Sequence, residues 1–260
     1  MSEPPSPGDE RPPGGKPGRR RLDAELVARG LADTREKARG LVLAGRVRLA
    51  GRIVEKCGAA VRPGDEILVS PAPRPFVSRG GEKLAGALAD LGVSVSGAVA
   101  LDVGASTGGF TDCLLRSGAA LVYAVDVGES LLDDSLRRDP RVVALERVNF
   151  RHAREDLLPQ KVSLAAVDVS FISLRHILPP LRMFLLPGAE VVALVKPQFE
   201  AGRKAVGKGG IVRDEEKRRE AVRAVADAAR KAGFSVEGEA ESRVRGARGN
   251  REVFLRLRWP

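Results

Sequence analysis

The chain has 260 residues, room for one large domain and a small one. Hydrophobic residues make up 43% of it, enough for a sizeable core, whereas aromatics at 4% argue against a binder built on rows of stacking rings. A formal net charge of +10 points to a polyanionic partner, nucleic acid or an anionic membrane surface.

Residues 1–20 are rich in Pro, Gly and charge and almost devoid of apolar side chains. Such a segment cannot bury enough surface to offset ordering entropy, so a disordered tail is expected. Its end, Arg19-Arg20-Arg21, is placed to touch phosphate or simply to be solvated. No apolar h-region opens the chain, and no apolar run reaches the roughly 18–20 residues of a spanning helix, so no membrane partner is expected.

Leu22, Leu26, Val27 and Leu31 recur at helical spacing, with Gly30 near the helix end. A second helix is predicted from Asp33, read as its cap, with Glu36 three positions on as in a capping box. Ala38, Leu41 and Val42 give it an apolar face and Gly45 ends it. The period then changes to two through Val47, Leu49, a turn at Ala50-Gly51, and Ile53. A Pro63-Gly64-Asp65 turn leads into a strand over Glu66–Val69. Arg35, Lys37, Arg39, Arg46, Arg48 and Arg52 crowd the second helix and the hairpin. Cations in a helix's first turns do not help its stability, so an RNA role is a motive for Arg35, Lys37 and Arg39. The stretch "RLDAELVARGLADTREKARGLVLAGRVRLAGRIV" resembles the small S-four-type (alpha-L) RNA-binding domain, over residues 21 to about 70. That resemblance implies that the second helix and the following loop lie on structured RNA. Residues 71–77, "PAPRPFV", form a Pro-rich, stiff link.

From residue 78 to 260, strands and helices alternate. Strands are predicted at Val99–Val103, Leu121–Val125, Val142–Leu145, Leu164–Val169 and Val191–Val195. Helices are predicted near Phe110–Arg116, Ile172–Phe184 and Glu215–Ala232, and two consecutive strands, near Val236–Glu241 and Glu252–Leu257, close the chain. The fold class is therefore α/β, a Rossmann-like domain with a mostly parallel sheet and an antiparallel addition at one edge, behind a small α+β domain.

The strongest local signal is "LDVGASTGGFTD", residues 101–112, in which an apolar strand ends at Asp102-Val103, a glycine loop follows and a helix begins. Ser106 stands where a dinucleotide fingerprint wants its second glycine, which disfavours close approach of a pyrophosphate. The acid before the loop suits a cationic amino-acid ligand. The next strand ends in Asp126, placed to accept hydrogen bonds from both ribose hydroxyls of an adenosine. Together these read as an S-adenosylmethionine site. Its candidate contacts are Asp102, Gly104, Ser106, Gly108, Gly109, Phe110 and Asp126. Asp168 and Lys196 each end a later apolar strand, and a lysine there is costly unless paired or used. Cys57 and Cys113 lack metal spacing and read as reduced thiols of a cytoplasmic protein, and His152 and His176 form no ligand cluster, so no metal is expected.

The segments "SRGGEKL", "LDVGASTGGFTDCLL", "VDVG", "DVSFISL", "LVKPQFE", "GKGGIVRD" and "GNREVFL" resemble, in this order, the hemolysin-A (TlyA) family of ribosomal-RNA 2′-O-methyltransferases, related to FtsJ-type enzymes. The resemblance implies a catalytic Lys-Asp-Lys-Glu set at Lys83, Asp168, Lys196 and Glu252. It also implies S-adenosylmethionine as cofactor, ribosomal RNA or ribosomal subunits as partner, and the 2′-hydroxyl of a cytidine as acceptor. Three other readings stay open on the residues. A membrane-active hemolysin would want a spanning or aromatic-rich amphipathic segment. A non-catalytic ribosome-assembly factor would not need the Lys-Asp-Lys-Glu set. A pseudouridine synthase, which can share the N-terminal domain, has no use for the 101–112 loop.

Overall fold

The computed structural model describes residues 19–70, 75–202, 206–207, 209–246 and 249–260. The expected disordered tail therefore lies, up to residue 18, outside the described residues, and so do residues 71–74 of the link.

The N-terminal unit runs β1 (Arg20–Arg21), α1 (Leu22–Ala28), α2 (Arg35–Leu43), β2 (Val47–Leu49), β3 (Arg52–Ile53), β4 (Ala60–Val61) and β5 (Ile67–Val69). β3, β2 and β5 make a small antiparallel sheet, and β1 pairs with β4. The helices meet over a core of Leu22, Leu26, Ala38, Val42, Val47, Val61 and Ile67, separate from the cores of the larger unit. The cap of α2 is not Asp33. Thr34 has the extended backbone a cap needs and accepts from the Lys37 N–H, while the Asp33 side chain pairs with the Lys37 ammonium instead. Ala50 and Gly51, both at positive φ, turn the hairpin.

The larger unit opens with α3 (Arg79–Leu91), capped by Ser78. It continues through β6 (Val99–Val103), α4 (Gly109–Arg116), β7 (Leu121–Val125), α5 (Asp134–Arg137), β8 (Val142–Leu145), β9 (Val162–Val167), α6 (Leu178–Leu181), β10 (Leu185–Val195), α7 (Pro197–Glu200), α8 (Glu215–Lys231), β11 (Ser235–Glu241) and β12 (Val253–Arg258). The seven strands lie in the order β11-β12-β10-β9-β6-β7-β8; β10 to β8 are parallel, and β12 and β11 add antiparallel at one edge. Alternation along the strands supplies both faces. Leu101, Val103, Ala165, Val167, Val191 and Ala193 pack under α6 and α8, whereas Ala100, Leu164, Ala166, Val192 and Leu194 pack under α3 and α4.

Two expectations shift. The predicted helix Ile172–Phe184 is broken into 3-10 turns around the four-residue α6, because Pro179 and Pro180 remove two consecutive amide donors. The strand expected over Leu164–Val169 is β9 at Val162–Val167, which leaves Asp168 and Val169 in the loop beyond the sheet. Chain order reverses between β6 and β9: β7 and β8 extend to one side, β10 and β12 to the other. Loops leaving β6 and β9 diverge there and open a crevice at the carboxyl edge, where ligands of such sheets bind.

Candidate active site

The glycine loop after β6 turns over the neighbouring strands. Gly104, at φ +89°, donates its N–H to the Val125 carbonyl at 2.8 Å. Its missing side chain matters, because a Cβ there would collide with the Asp168 carbonyl oxygen. This close approach packs the β6 loop directly against the β9 loop. Ser106, at φ +50°, donates its N–H to Asp126 Oδ2 at 2.8 Å, and Gly128 donates to Asp126 Oδ1 at 2.7 Å. The Asp126 carboxylate is thereby held at the wall of a pocket lined by Ala105, Ser106, Asp126, Gly128, Leu131 and Glu146 among others.

Asp102 is fully buried beneath this loop. Thr111 donates to its Oδ2 at 2.7 Å, and Oδ1 has no partner. Burial pushes its carboxyl up to about 7, against the pull of the Thr111 hydroxyl and with help from the nearby charges of Asp168 and Asp126. Three acids whose charges act on one another, two of them with a buried oxygen that lacks a hydrogen-bond partner, fit a ligand that carries positive charge. A donor with a sulfonium and an ammonium meets that requirement; a pyrophosphate would be repelled.

The sequence set is only partly gathered at this pocket. Gly108, at φ +92°, packs against Leu132 and Leu136, and Leu132 belongs to the pocket wall. Gly109 instead makes room for Ser78 and Gly81 at the start of α3, and Phe110 is buried against Phe254. These two join α3 to α4 and do not line the pocket. Glu146, just past β8, lines it and was not singled out by sequence reasoning, although an acid closing a third strand at the same edge was a usable signal. Burial would raise its carboxyl, but Arg137 and the Ser130 N–H hold it below the usual range.

The four residues of the Lys-Asp-Lys-Glu set form two ion pairs. Lys83, on the inner face of α3, donates to Glu252 Oε2 at 2.7 Å, both nearly inaccessible. Lys196 Nζ lies 2.5 Å from Asp168 Oδ1, a charge contact without hydrogen-bond alignment, and donates to Ser170 Oγ at 2.9 Å. The β10–β12 register pairs Val195 with Val253, so Lys196 and Glu252 sit at adjacent strand ends. Asp168 follows β9 on the other side of β10. Beside them Phe171, at φ +66° and 92% exposed, stands 5.1 Å from the Phe199 ring. Sequence reasoning missed it, since nothing in "DVSFISL" says that its phenylalanine faces solvent. Among the described residues no cluster of His, Cys, Asp and Glu is arranged to hold a metal.

In the N-terminal unit Arg35, Lys37, Arg39, Arg48 and Arg52 are exposed and Arg46 is half-buried. Arg35 lies 3.5 Å from Asp23, Lys37 3.2 Å from Asp33, and Arg48 donates to the Gly51 carbonyl. An ion pair between Arg79 and Glu55 links this unit to the start of α3.

Residues 76–259 match the model of the FtsJ-like methyltransferases, and residues 20–67 match the S4 domain. The chain is 47% identical over 241 residues to the 16S/23S rRNA (cytidine-2'-O)-methyltransferase TlyA of Mycobacterium tuberculosis, covering 92% of this chain and 90% of that one. It is 40% identical to Hemolysin A of Brachyspira hyodysenteriae, over 90% of this chain and 98% of the relative. A solved hemolysin-type structure from Streptococcus thermophilus superposes with a TM-score of 0.71 at 44% identity, covering 93% of this chain and 88% of that one. No helix among the described residues is long and apolar enough to cross a membrane.

Proposed function

The chain belongs to the FtsJ-like methyltransferase family, with an S4 domain ahead of its catalytic unit, and from that premise we propose that Lys196 is the base of its reaction. The protein is an S-adenosylmethionine-dependent enzyme that methylates the 2′-hydroxyl of a cytidine in ribosomal RNA, the activity carried by its M. tuberculosis relative. When bound, the donor supplies an activated methyl on a positively charged sulfur.

This chain's residues do the rest. Asp126, Glu146 and the glycine loop hold the adenosine end, and Asp102 faces the ammonium. A neutral alcohol is a poor nucleophile, so a base must take its proton. Lys196 takes it at Nζ once its own amine has lost a proton, oriented by Asp168 and Ser170. Lys83 is held by Glu252 at the neighbouring strand end and contributes positive charge where the alkoxide develops. Phe171 offers an exposed ring on which a nucleobase can stack beside the reacting ribose. Residues 21–70 bind the RNA through Arg35, Lys37, Arg39, Arg46, Arg48 and Arg52, and residues 78–260 carry out the transfer. A ribosomal substrate puts the enzyme in the cytoplasm.

The observation that carries this reading is the pairing of Lys196 with Asp168 and Lys83 with Glu252 at one sheet edge, next to the acid-lined crevice. The test is transfer of labelled methyl to purified ribosomal subunits, followed by nucleoside analysis. The product expected is 2′-O-methylcytidine, formed by the wild type and not by Lys196→Ala. A base-methylated product, or full activity in Lys196→Ala, would overturn it.

A further inference from the structure

Glu200 closes α7, four residues after Lys196, and is only 7% exposed. Both of its carboxylate oxygens reach out of their own helix to one segment, the chain that follows Asp168. Oε2 accepts from Ser173 Oγ at 2.5 Å and Oε1 from the Leu174 N–H at 2.8 Å. Ser173 Oγ in turn accepts from the Arg175 N–H at 3.2 Å and its Nε at 3.0 Å, and the guanidinium lies 3.7 Å from the Glu200 carboxylate. Burying a carboxylate is costly unless it is fully paired, and an apolar side chain would fill the same space more cheaply. What the carboxylate adds is a tether between two loops.

The same loops also meet through Lys196, which reaches Asp168 and Ser170, and through the Arg175 guanidinium, which donates to the Glu200 carbonyl at 3.4 Å. The parallel ladder between β9 and β10 ends at Val167 and Ala193, short of both Asp168 and Lys196. Asp168 is fixed to the sheet through its own N–H to Val103, on the opposite side from β10. Beyond that point the chain turns through Ser170 and the positive-φ Phe171 before Ser173 and Leu174 reach Glu200. We propose that Glu200 is a positioning residue for methyl transfer: it locks the Asp168–Leu174 loop to the helix that follows Lys196, and so keeps Nζ in place between Asp168 and Ser170. The proposal rests on the reading of Lys196 as the base.

The test compares Glu200→Ala, Glu200→Gln, Ser173→Ala and the Ser173→Ala/Glu200→Ala double variant of the full chain, with Lys196→Ala as control, on ribosomal subunits at saturating S-adenosylmethionine. A displacement of about 1 Å at a reacting group costs on the order of 10²-fold, so Glu200→Ala should lower kcat by about 10- to 100-fold. KM for the subunits and affinity for the donor, whose pocket lies beyond β6 and β7, should stay within about twofold. Glu200→Gln should recover much of the rate, since its amide oxygen still accepts from Leu174. The double variant should be no slower than Glu200→Ala, because both changes cut one tether. If Glu200→Ala fails to bind donor, its fold is lost, and Glu200→Gln and Ser173→Ala decide by the same split between kcat and KM. An unchanged kcat, a loss confined to KM, or multiplying effects of Ser173→Ala and Glu200→Ala would overturn the proposal. Normal turnover by Lys196→Ala would instead overturn the reading beneath it.

Discussion

Replacing Asp102 with Asn should stabilise the donor-free protein at alkaline pH while weakening its hold on the donor. Asp102 is fully buried with one oxygen unpartnered, and burial lifts its carboxyl from 3.8 to about 7. Between those two values the folded state binds more protons than the unfolded one. Stability from this group therefore falls as pH rises from about 4 to about 7, and is level above that. A shift of about three pH units at about 1.4 kcal/mol each makes the ionised form cost about 4 kcal/mol at pH 8. Asn keeps the shape and the acceptor for Thr111 but leaves amide hydrogens unpaired, which costs about 1–3 kcal/mol. The net gain at pH 8 is about 1–3 kcal/mol, and at about 2–4 °C per kcal/mol for a chain of this size it is visible in a melting curve. The assay is thermal unfolding of wild type and Asp102→Asn at pH 4 and pH 8, with calorimetry of S-adenosylmethionine on both at pH 8. The variant should melt higher at pH 8 only and bind donor more weakly. Equal differences at the two pH values would refute the buried-charge argument, and unchanged donor affinity would refute its purpose.

Asp126→Ala removes the carboxylate that organises Ser106 and Gly128 and faces the pocket. Donor binding should weaken by roughly 1.5–3 kcal/mol with the fold kept; equal affinity by calorimetry would contradict the assignment. Replacing Arg35, Lys37 and Arg39 together with Ala should weaken RNA binding and flatten its dependence on salt while leaving donor affinity alone. Since Arg35 and Lys37 already lie near Asp23 and Asp33, the slope should fall by less than three free cations would give, and an identical slope would count against an RNA role.

Most of the parallel sheet was legible because its strands are short apolar runs that stop at an acid or a lysine. Asp126, Asp168 and Lys196 stand at such stops and Asp102 one residue before the end of β6, so one periodicity marked both the sheet and its carboxyl edge. What was illegible depends on contacts between distant segments. Helix α3 has glycines at 80, 81 and 86, a poor helix signal; in the fold a Cβ at Gly81 would strike Phe76 and one at Gly86 would press on Arg243. Gly109 and Phe110 sit in the loop that reads as a cofactor motif, yet they serve the packing of α3 and α4. The cap of α2 moved one residue because Asp33 and Thr34 are both able to cap and only backbone geometry separates them. Phe171 and Glu200 draw their importance from what surrounds them, and no local pattern marks it.

The most direct test of the central claim is single-turnover methyl transfer by wild type, Lys196→Arg and Lys196→Ala across pH. If Lys196 accepts the proton, arginine cannot replace it, since a guanidinium does not deprotonate in proteins. Both variants should then lose about 10²–10⁴-fold in rate while still binding donor and RNA, and the wild-type rate should climb with pH until the amine is neutral. Near-normal turnover by Lys196→Arg would contradict this, showing that Lys196 works by charge alone and that another group takes the proton.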